Sequence, residues 1–517
     1  MRYYSTEGRA PVASLRKAVV QGLAEDRGLY MPERIPVLPA DWLRRLPELS
    51  FVEISQEVAA AFFGEDVPRG ELDRIVAETL SFDCPAVKVE DGIYALELFH
   101  GPTLAFKDVG ARFMARLLAH FTQEGNVNVL VATSGDTGSA VANGFLGVPG
   151  THVFVLYPKG RVSPVQECQF TTLGRNITAL EVDGSFDDCQ ALVKTAFLDD
   201  DLRGALRLTS ANSINVARFL PQAFYYFHGY AQLARLGLAD RLVVCVPSGN
   251  FGNLCAALVA RRMGLPVQRF IAANNRNDVF FNYLQTGSYT PRPSIRTLAN
   301  AMDVGDPSNF ARILDLYGHR WTDIRKDISS QQWTDIRKDI SGQQWTGIRK
   351  DISGAVVGDG TILSTIRQCY AETGYLLDPH GACAYRALKD GLREGETGLF
   401  CETAHPAKFR ETVSRALKDT PRAGDTGATH GTVSRALKDT PRTGDTVATN
   451  GTVARATNDS LRIGDTGATH GTIARATGVD VDLPPRLAAF LTGTKQTIPL
   501  PASFPAFKAL LLARALR

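Results

Sequence analysis

The chain has 517 residues, of which 57 are Lys or Arg and 54 are Asp or Glu, so its formal net charge is only +3. Because no basic or acidic block stands out, neither a nucleic acid nor an anionic membrane surface is the expected partner, and a small molecule is favoured. The eight cysteines are scattered without a CxxC pair, which argues against a zinc ribbon or a disulfide framework.

The amino-terminal segment has a helical pattern. Apolar residues recur at helical spacing in SLRKAVVQGL, residues 14–23, and in FVEISQEVAAAFFG, residues 51–64. We therefore predict an N-terminal helical region over residues 1–88. The sequence contains neither an unbroken apolar signal core nor an apolar run of about 18 residues, so we expect an untargeted protein of the reducing cytoplasm.

From residue 89 onward, short apolar strands alternate with helices. The predicted strands are VNVLVAT, THVFVLYP, NITALEVDG and RLVVCVPS, and a helical pattern follows each of them. Such alternation predicts right-handed crossovers and parallel sheets. We place a smaller α/β domain over residues 89–235 and a larger one over residues 236–517.

Two tandem arrays interrupt this order, one with a period of 12 over about 321–354 and one with a period of 20 over about 413–472. Twelve residues turn a helix face by roughly 120° per unit, so the first array has no common apolar stripe, and short turns are expected instead. The second is rich in Gly, Asp, Thr and Pro, which favour turns. We expect both arrays to be exposed and poorly ordered.

Two glycine-rich loops each connect a strand to a helix. ATSGDTGSA puts residues Ser134–Ser139 at a helix start, and PSGNFGN does the same for Ser248–Asn253. Backbone N–H groups and the positive end of the helix dipole at such a point bind a small anion, although a plain strand-to-helix turn is the alternative. Neither loop contains GxxxxGK or GxGxxG, so a P-loop or a dinucleotide fingerprint is not supported.

A lysine occupies an unusual position in LELFHGPTLAFKDVGARFMARLLAH. Lys107 follows a Gly101–Pro102 turn and begins an apolar helix, where the helix dipole and the neighbours Leu104 and Phe106 disfavour a positive charge. We therefore predict a lowered pKa for Lys107, which suits carbonyl chemistry at a neutral or covalently bound amine. A solvated lysine is the alternative.

Six segments carry a family resemblance: LELFHGPTLAFKDVGARFMA, ATSGDTGSAV, ANSINVARFLPQ, VPSGNFGNL, NAMDVGDPSN and ETAHPAKF. Together they resemble the threonine synthases, pyridoxal-phosphate enzymes of fold type II in the tryptophan-synthase β-like group. The similarity runs through the chain except for the two arrays. It implies an α/β fold with two three-layer domains of parallel or mixed sheets, an N-terminal helical layer and two repeat insertions.

The resemblance implies that Lys107 binds pyridoxal 5'-phosphate covalently and moves protons during the reaction. The loop Gly249–Asn253 then binds the cofactor phosphate through backbone N–H groups. Thr403 matches the hydroxyl residue that meets the pyridine nitrogen of the cofactor. The implied cofactor-binding set is Lys107, Gly249, Asn250, Phe251, Gly252, Asn253 and Thr403.

The loop Ser134–Thr137 matches the family's loop for the substrate α-carboxylate. Asp136 fits poorly there because two carboxylates repel, so we expect it to face a ring oxygen of the cofactor or an N–H group. ANSINVAR and PKGRVSP supply groups suited to a substrate phosphate, with a surface salt bridge as the alternative for Arg161. The implied substrate-binding set is Ser134, Gly135, Asp136, Thr137, Arg161, Ser163, Asn212, Ser213, Asn215 and Arg218.

The implied reaction converts O-phospho-L-homoserine and water to L-threonine and phosphate, without a metal, in a monomer or homodimer. One alternative is a related lyase that releases a keto acid, such as a threonine dehydratase or a phospho-amino-acid lyase; the polar set at Asn212–Arg218 favours a phosphorylated substrate. The other is an inactive scaffold whose repeats bind a partner, since the second array begins ten residues after Thr403.

Overall fold

The computed structural model describes residues 1–122, 126–318, 344–418 and 483–515. Within them the strands form three sheets, and the predicted α/β fold is confirmed. The strands are β1 Arg2–Ser5, β2 Ala13–Ser14, β3 Tyr30–Pro32, β4 Ala86–Glu90, β5 Ile93–Glu97, β6 Val127–Ala132, β7 Thr151–Pro158, β8 Ile177–Asp183, β9 Leu208–Ser210, β10 Leu242–Pro247, β11 Arg269–Asn274, β12 Ile352–Val356, β13 Thr397–Glu402 and β14 Ile498–Pro501.

Helices separate most of the strands, as the alternating pattern predicts. They are Leu15–Gln21, Ala40–Arg44, Phe51–Phe63, Arg69–Thr79, Lys107–Phe121, Asp136–Phe145, Pro164–Thr171, Phe186–Leu198, Asp200–Ala205, Val216–Phe219, Ala223–Arg235, Gly252–Arg262, Val279–Thr286, Phe310–Leu316, 344–351, Asp359–Thr373, Pro379–Gly391, Arg410–Leu417, Pro485–Leu491 and Phe504–Arg514. Among the described residues, no helix combines the length and the apolar character that crossing a bilayer requires.

The larger sheet has the strand order β12-β11-β10-β13-β5-β4, and only its edge strand β4 is antiparallel to its neighbour. Every residue of the central strand β10 is buried, and the helix Pro379–Gly391 packs against β10 and its neighbours. The carboxyl ends of the parallel strands meet at one edge, which is where ligands bind in open α/β sheets.

The smaller sheet is parallel throughout, with the order β14-β8-β7-β6-β9. Strand pairing crosses the predicted domain boundaries at residues 88 and 235. Strands β4 and β5 belong to the larger sheet, and β14, from the far C-terminal end, pairs with β8 of the smaller one. The division into domains stays a prediction, whereas the two sheets are assembled from segments far apart in the chain.

The N-terminal region contains more than the predicted helices. Both predicted helices form, and a capping box between Ser50 and Glu53 explains why the second one begins at Phe51. The region also contains an antiparallel sheet of order β2-β1-β3. Helical periodicity gave no sign of these strands, because each has only two to four residues.

The expectation that both arrays are exposed is wrong for the last unit of the first array and for the first residues of the second. The last unit of the first array forms the helix 344–351 and continues into β12, with Ile348 and Ile352 buried. A single unit buries its own apolar face, so no stripe shared with neighbouring units is needed. The second array begins inside Arg410–Leu417, whose Val413 is fully buried. The remaining units, residues 321–343 and 419–472, lie outside the described residues.

Candidate active site

A cavity lies beyond the carboxyl ends of β6, β10 and β13, next to the start of the helix Lys107–Phe121. Segments that follow strands of the larger sheet and of the smaller sheet therefore form its wall. Twelve residues of the predicted cofactor and substrate sets line it: Lys107, Ser134, Thr137, Asn212, Ser213, Arg218, Gly249, Asn250, Phe251, Gly252, Asn253 and Thr403. The structure thus brings together side chains that are scattered over almost 300 residues of sequence.

The turn before Lys107 is held in an unfavourable backbone conformation. Leu104 has a φ of 56°, in the left-handed region that a branched side chain rarely adopts. Hydrogen bonds to the segment after β13 maintain this turn, since Phe106 N donates to Thr403 O at 2.8 Å. The lysine and the threonine of the predicted cofactor set are therefore fixed relative to each other by the backbone.

The surroundings of Lys107 disfavour a positive charge. Burial lowers the pKa of Lys107 to about 8, while the carboxylate of Asp136 opposes this effect and the cations Arg218 and Lys408 reinforce it. The direction agrees with the pKa shift predicted from the sequence. An amine with such a pKa is present in both its neutral and its protonated form near neutral pH, as a group that accepts and returns protons must be.

The loop after β10 approaches another backbone segment closely. A Cβ atom on Gly249 would lie 2.8 Å from Ala301 O and from Met302 Cα, so only glycine fits there. Phe251 has a φ of 61° and is the residue from which the helix Gly252–Arg262 starts. The first N–H groups of that helix have no partner within it, and this makes the loop suited to an anion.

Side chains on both sides of the cavity fix this loop. Asn250 Nδ2 donates to Ser213 Oγ at 2.8 Å, and Asn309 Nδ2 donates to Asn250 O at 2.9 Å. Arg312, which is fully buried, donates to Ser213 O at 2.8 Å and to Tyr30 O at 3.1 Å. Sequence reasoning missed Arg312; its signal is a single arginine within the apolar helix FARILDL.

The loop after β6 starts a helix in the same manner. Thr133 Oγ1 accepts hydrogen bonds from Gly135 N at 2.9 Å and from Gly138 N at 2.8 Å. Gly135 has a φ of 146°, where a Cβ atom would meet the Gln166 side chain at 2.5 Å. The loop is therefore compact, and its Ser134 and Thr137 line the cavity.

Asp136 does not line the cavity with its neighbours. Its Oδ1 lies 2.5 Å from Lys408 Nζ and accepts a hydrogen bond from Gln166 Nε2 at 2.9 Å. The carboxylate thus faces N–H groups, which are one of the two kinds of partner expected for it. Sequence reasoning missed Lys408, although it belongs to the quoted segment ETAHPAKF, where a lone lysine follows Pro406 and Ala407.

Arg218 is the most unusual charge in the cavity. Its side chain is buried, and burial lowers its pKa to about 10. Within the described part of the chain, its Nε and Nη1 atoms have no hydrogen-bond partner. A buried guanidinium without partners is costly unless an anion pairs with it. The cavity therefore presents a site for a negatively charged group next to Lys107.

Besides Asp136 and Gly135, three members of the predicted substrate set lie away from the cavity lining. Asn215 caps the helix Val216–Phe219, and its Nδ2 donates to Val19 O at 2.9 Å. Ser163 caps the helix Pro164–Thr171. Arg161 is exposed. The first two are cap residues because Asn and Ser side chains accept hydrogen bonds from the N–H groups at a helix start.

Comparison with known proteins decides the family. Residues 2–80 match the family model described as "Threonine synthase N terminus", and residues 75–400 match "Pyridoxal-phosphate dependent enzyme". The chain belongs to the threonine synthase family. Threonine synthases from Haemophilus influenzae and Escherichia coli are 45% and 44% identical to it over 417 and 420 residues, which is 81% of this chain and 91% and 92% of those proteins.

Solved structures agree with this family assignment. The crystal structure of Escherichia coli threonine synthase superposes with a TM-score of 0.79 at 38% identity, covering 99% of this chain and 100% of the other. PLP-bound threonine synthase from Brucella melitensis also gives a TM-score of 0.79, at 33% identity, with all of both chains covered. The fold of the described residues is therefore that of threonine synthases.

Pyridoxal 5'-phosphate is the cofactor of this threonine synthase family member, and the cavity fits it. Lys107 offers an amine whose pKa of about 8 leaves part of it neutral, as covalent attachment to an aldehyde requires. The loop Gly249–Asn253 offers N–H groups at a helix start for the phosphate. Thr403 is buried and lies in the same cavity as both.

Gly249→Ala is expected to weaken cofactor binding roughly tenfold or more, because the added methyl group overpacks against the backbone of Ala301 and Met302. Titration of the cofactor-free protein with pyridoxal phosphate, followed by absorbance, measures this. The control is Gly70→Ala in the helix Arg69–Thr79, where a Cβ atom meets nothing within 4 Å. Equal affinity in both variants would contradict the close approach.

In the cofactor-free protein, Lys107 is expected to react with an amine-modifying reagent half-maximally near pH 8, because burial favours its neutral form. Peptide mass spectrometry after brief modification across a pH series measures the fraction modified. The exposed Lys194 serves as the internal reference for the reagent. Parallel curves for the two lysines would exclude the lowered pKa.

Proposed function

We propose that this chain converts O-phospho-L-homoserine and water to L-threonine and inorganic phosphate. Family membership supports the activity, and Arg218 supports the phosphorylated substrate. Among the residues that the structure describes, nothing pairs with Nε or Nη1 of its buried guanidinium, and Arg218 lines the same cavity as Lys107. A substrate with an α-carboxylate and a distal phosphate presents two anions, and the cavity offers a place for each in addition to the cofactor phosphate loop.

The residues around the cavity divide the work of binding. Ser134 and Thr137, with the N–H groups of their loop, bind the α-carboxylate. Arg218, assisted by Asn212 and Ser213, binds the substrate phosphate through charge-assisted hydrogen bonds. Gly135 allows the tight turn of the carboxylate loop, and Thr403 presents its hydroxyl to the ring of the cofactor.

Lys107 carries the protons. In the net conversion, phosphate leaves Cγ, water places its hydroxyl group on Cβ and gives its other proton to the released phosphate, while protons leave Cα and Cβ and return to Cγ and Cα. When bound, pyridoxal phosphate supplies the electron sink that acidifies these C–H bonds. The Lys107 amine, with a pKa of about 8, accepts and returns the protons near neutral pH.

A single assay separates this function from its nearest alternative. Incubation of the purified protein with O-phospho-L-homoserine is expected to release phosphate and L-threonine in equal amounts. A lyase that ends in a keto acid would instead release phosphate with 2-oxobutyrate and no threonine. An inactive scaffold would release none of them and would show no cofactor absorbance that borohydride removes.

We also propose that the protein acts in the cytoplasm as a monomer or homodimer. All eight cysteines lie within the described residues and none is paired, which suits a reducing compartment. Its partner in this proposal is the small-molecule substrate rather than a nucleic acid or a membrane. Sedimentation of the purified protein distinguishes the two oligomeric states.

A further inference from the structure

A fully buried ion pair lies beside the cavity without belonging to its lining. Lys408 Nζ is 2.5 Å from Asp136 Oδ1, and the two side chains are 0% and 3% exposed. Removing two charges from water is expensive, and a buried pair is often no more stabilising than apolar residues of the same size. Stability alone therefore does not explain why this position holds a lysine and an aspartate.

The pair connects three segments that surround the cavity. Lys408 lies in the short helix Pro406–Phe409, directly after Thr403. Besides Asp136, its ammonium donates to Thr103 O at 2.8 Å, in the turn that leads to Lys107. Asp136 begins the helix that follows the loop after β6. One ammonium group thus links three segments: the one that follows Thr403, the turn that precedes Lys107, and the loop of Ser134 and Thr137.

A second set of contacts holds the aspartate end of the pair. Gln166 Nε2 donates to Asp136 Oδ1 at 2.9 Å, and the same side chain fills the space beside Gly135. At the lysine end, Gln169 Nε2 donates to Thr103 O at 3.0 Å, the oxygen that also accepts from Lys408. Because Asp136 Oδ1, Lys408 Nζ and the amide Nε2 atoms of both glutamines are engaged in these contacts, the loop has little freedom to shift.

The charges of Lys408 and Asp136 determine whether an anion can bind beside the pair. An unpaired carboxylate at Asp136 would repel an α-carboxylate held by the adjacent Ser134 and Thr137. Lys408, Lys107 and the hydrogen bond from Gln166 outweigh burial and hold the pKa of Asp136 at about 2, so the carboxylate stays ionised and paired. The pair as a whole is neutral, and the helix N-terminus remains available to an anion.

We propose that Lys408 and Asp136 act as one positioning pair for the substrate carboxylate, in which Lys408 cancels the charge of Asp136 and fixes its loop against the turn that carries Lys107. The proposal rests on the proposed function, in which the loop Ser134–Thr137 binds that carboxylate. It adds two residues whose effect on the reaction runs through other groups, so both are positioning residues.

The proposal predicts measurable changes in the pH at which Lys107 becomes reactive. Three charged groups act on the Lys107 amine: Asp136 raises its pKa, while Arg218 and Lys408 lower it. Lys408→Met is therefore expected to move the pH at which Lys107 becomes reactive upward, and Asp136→Asn to move it downward. The double variant should return toward the wild type, because it removes opposite charges together.

The experiment combines that titration with steady-state kinetics. Lys107 reactivity is measured in the full-length, cofactor-free variants by mass spectrometry, and kcat and KM for O-phospho-L-homoserine are measured in the loaded enzymes. Each single variant is expected to lose roughly 100-fold in kcat/KM, as a small misplacement of a binding group does. The loss should be smaller in the double variant than the product of the two single losses.

A matched control is the buried pair Arg269–Glu396 in the larger sheet, with Arg269 Nε 3.0 Å from Glu396 Oε1. Arg269→Met and Glu396→Gln should lower the melting temperature without moving the Lys107 titration or KM. Lys408→Arg keeps the charge and should preserve the titration, whereas Lys408→Gln, which also removes the charge, replaces Lys408→Met should that variant fail to fold. The proposal is overturned if the two single variants shift the Lys107 titration in the same direction, or no more than the controls do.

The results that would refute the proposed function differ from those that would refute the positioning role of the pair. If the wild type releases keto acid instead of threonine, the substrate assignment fails, while the opposite shifts of Lys107 in the cofactor-free variants still test the charge balance of the pair. If the wild type makes threonine but both single variants keep its KM, the positioning role fails and the proposed function stands.

Discussion

Replacement of Lys107 by alanine is expected to lower the turnover of O-phospho-L-homoserine by at least about 10⁴-fold. A positioned acid–base group contributes roughly 10²–10⁴-fold by itself, and the covalent link to the cofactor is lost as well. The fold should survive, because burial already disfavours the Lys107 ammonium and alanine is tolerated in the first turn of a helix. The melting temperature is therefore expected to remain within a few degrees of the wild type.

Three measurements test this expectation. Threonine and phosphate release give the turnover, absorbance with and without borohydride reports the covalent link, and circular dichroism reports the fold. Lys194→Ala, an exposed lysine in the helix Phe186–Leu198, is the control and should retain full activity. A Lys107→Ala protein that still turns over at a tenth of the wild-type rate would remove Lys107 from the mechanism.

The parts of the site that depend on local pattern could be predicted from the sequence. VNVLVATSGDTG and VVCVPSGNFG each show an apolar strand, a glycine turn and a helix start, and the structure contains both as β6 and β10 with their following helices. The lowered pKa of Lys107 also follows from its place at a helix start among apolar neighbours. For the two loops the physical cause lies within about ten residues of the feature, whereas the charges that act on Lys107 include the distant Arg218 and Lys408.

The parts that depend on distant partners could not be predicted. Arg312 Nη2 reaches Tyr30 O across 282 residues of sequence, and Lys408 Nζ meets Thr103 O across 305. The sequence does not reveal these pairings. Read alone, it shows each of the two residues only as a charged side chain in an apolar segment. Strand β14 was missed for the same reason, since its edge position beside β8 is set by the fold and not by its own four residues.

Arg161 and Arg218 also show what the sequence could not decide, namely which of two arginines binds the substrate phosphate. Both follow polar motifs that suit a phosphate, and the sequence could not rank them. Burial separates them: Arg161 is exposed, whereas Arg218 is buried at the cavity, and two of its nitrogen atoms have no partner in the described part of the chain. The distinction matters because charge-assisted hydrogen bonds strengthen where water is excluded.

Arg218→Met is accordingly expected to lower kcat/KM for O-phospho-L-homoserine by roughly 10²–10³-fold, with most of the change in KM. Arg218 lines the cavity, two of its nitrogen atoms have no hydrogen-bond partner among the described residues, and each hydrogen bond to a charged group is worth about 1.5–3 kcal/mol. Methionine fills a similar volume without the cost of burying a charge, so stability should not fall. Inhibition by inorganic phosphate should weaken in parallel, because it reports the same contact.

Arg161→Met is the matched control for this prediction. It removes the same group from an exposed position outside the cavity lining, and it is expected to change kcat/KM less than about threefold, as surface substitutions usually do. Arg218→Lys completes the series: it keeps the charge but not the planar fork that grips a phosphate, and should recover only part of the loss. If Arg161→Met has the larger effect instead, the substrate phosphate binds at the exposed arginine, and Arg218 holds its buried charge for another anion of the site.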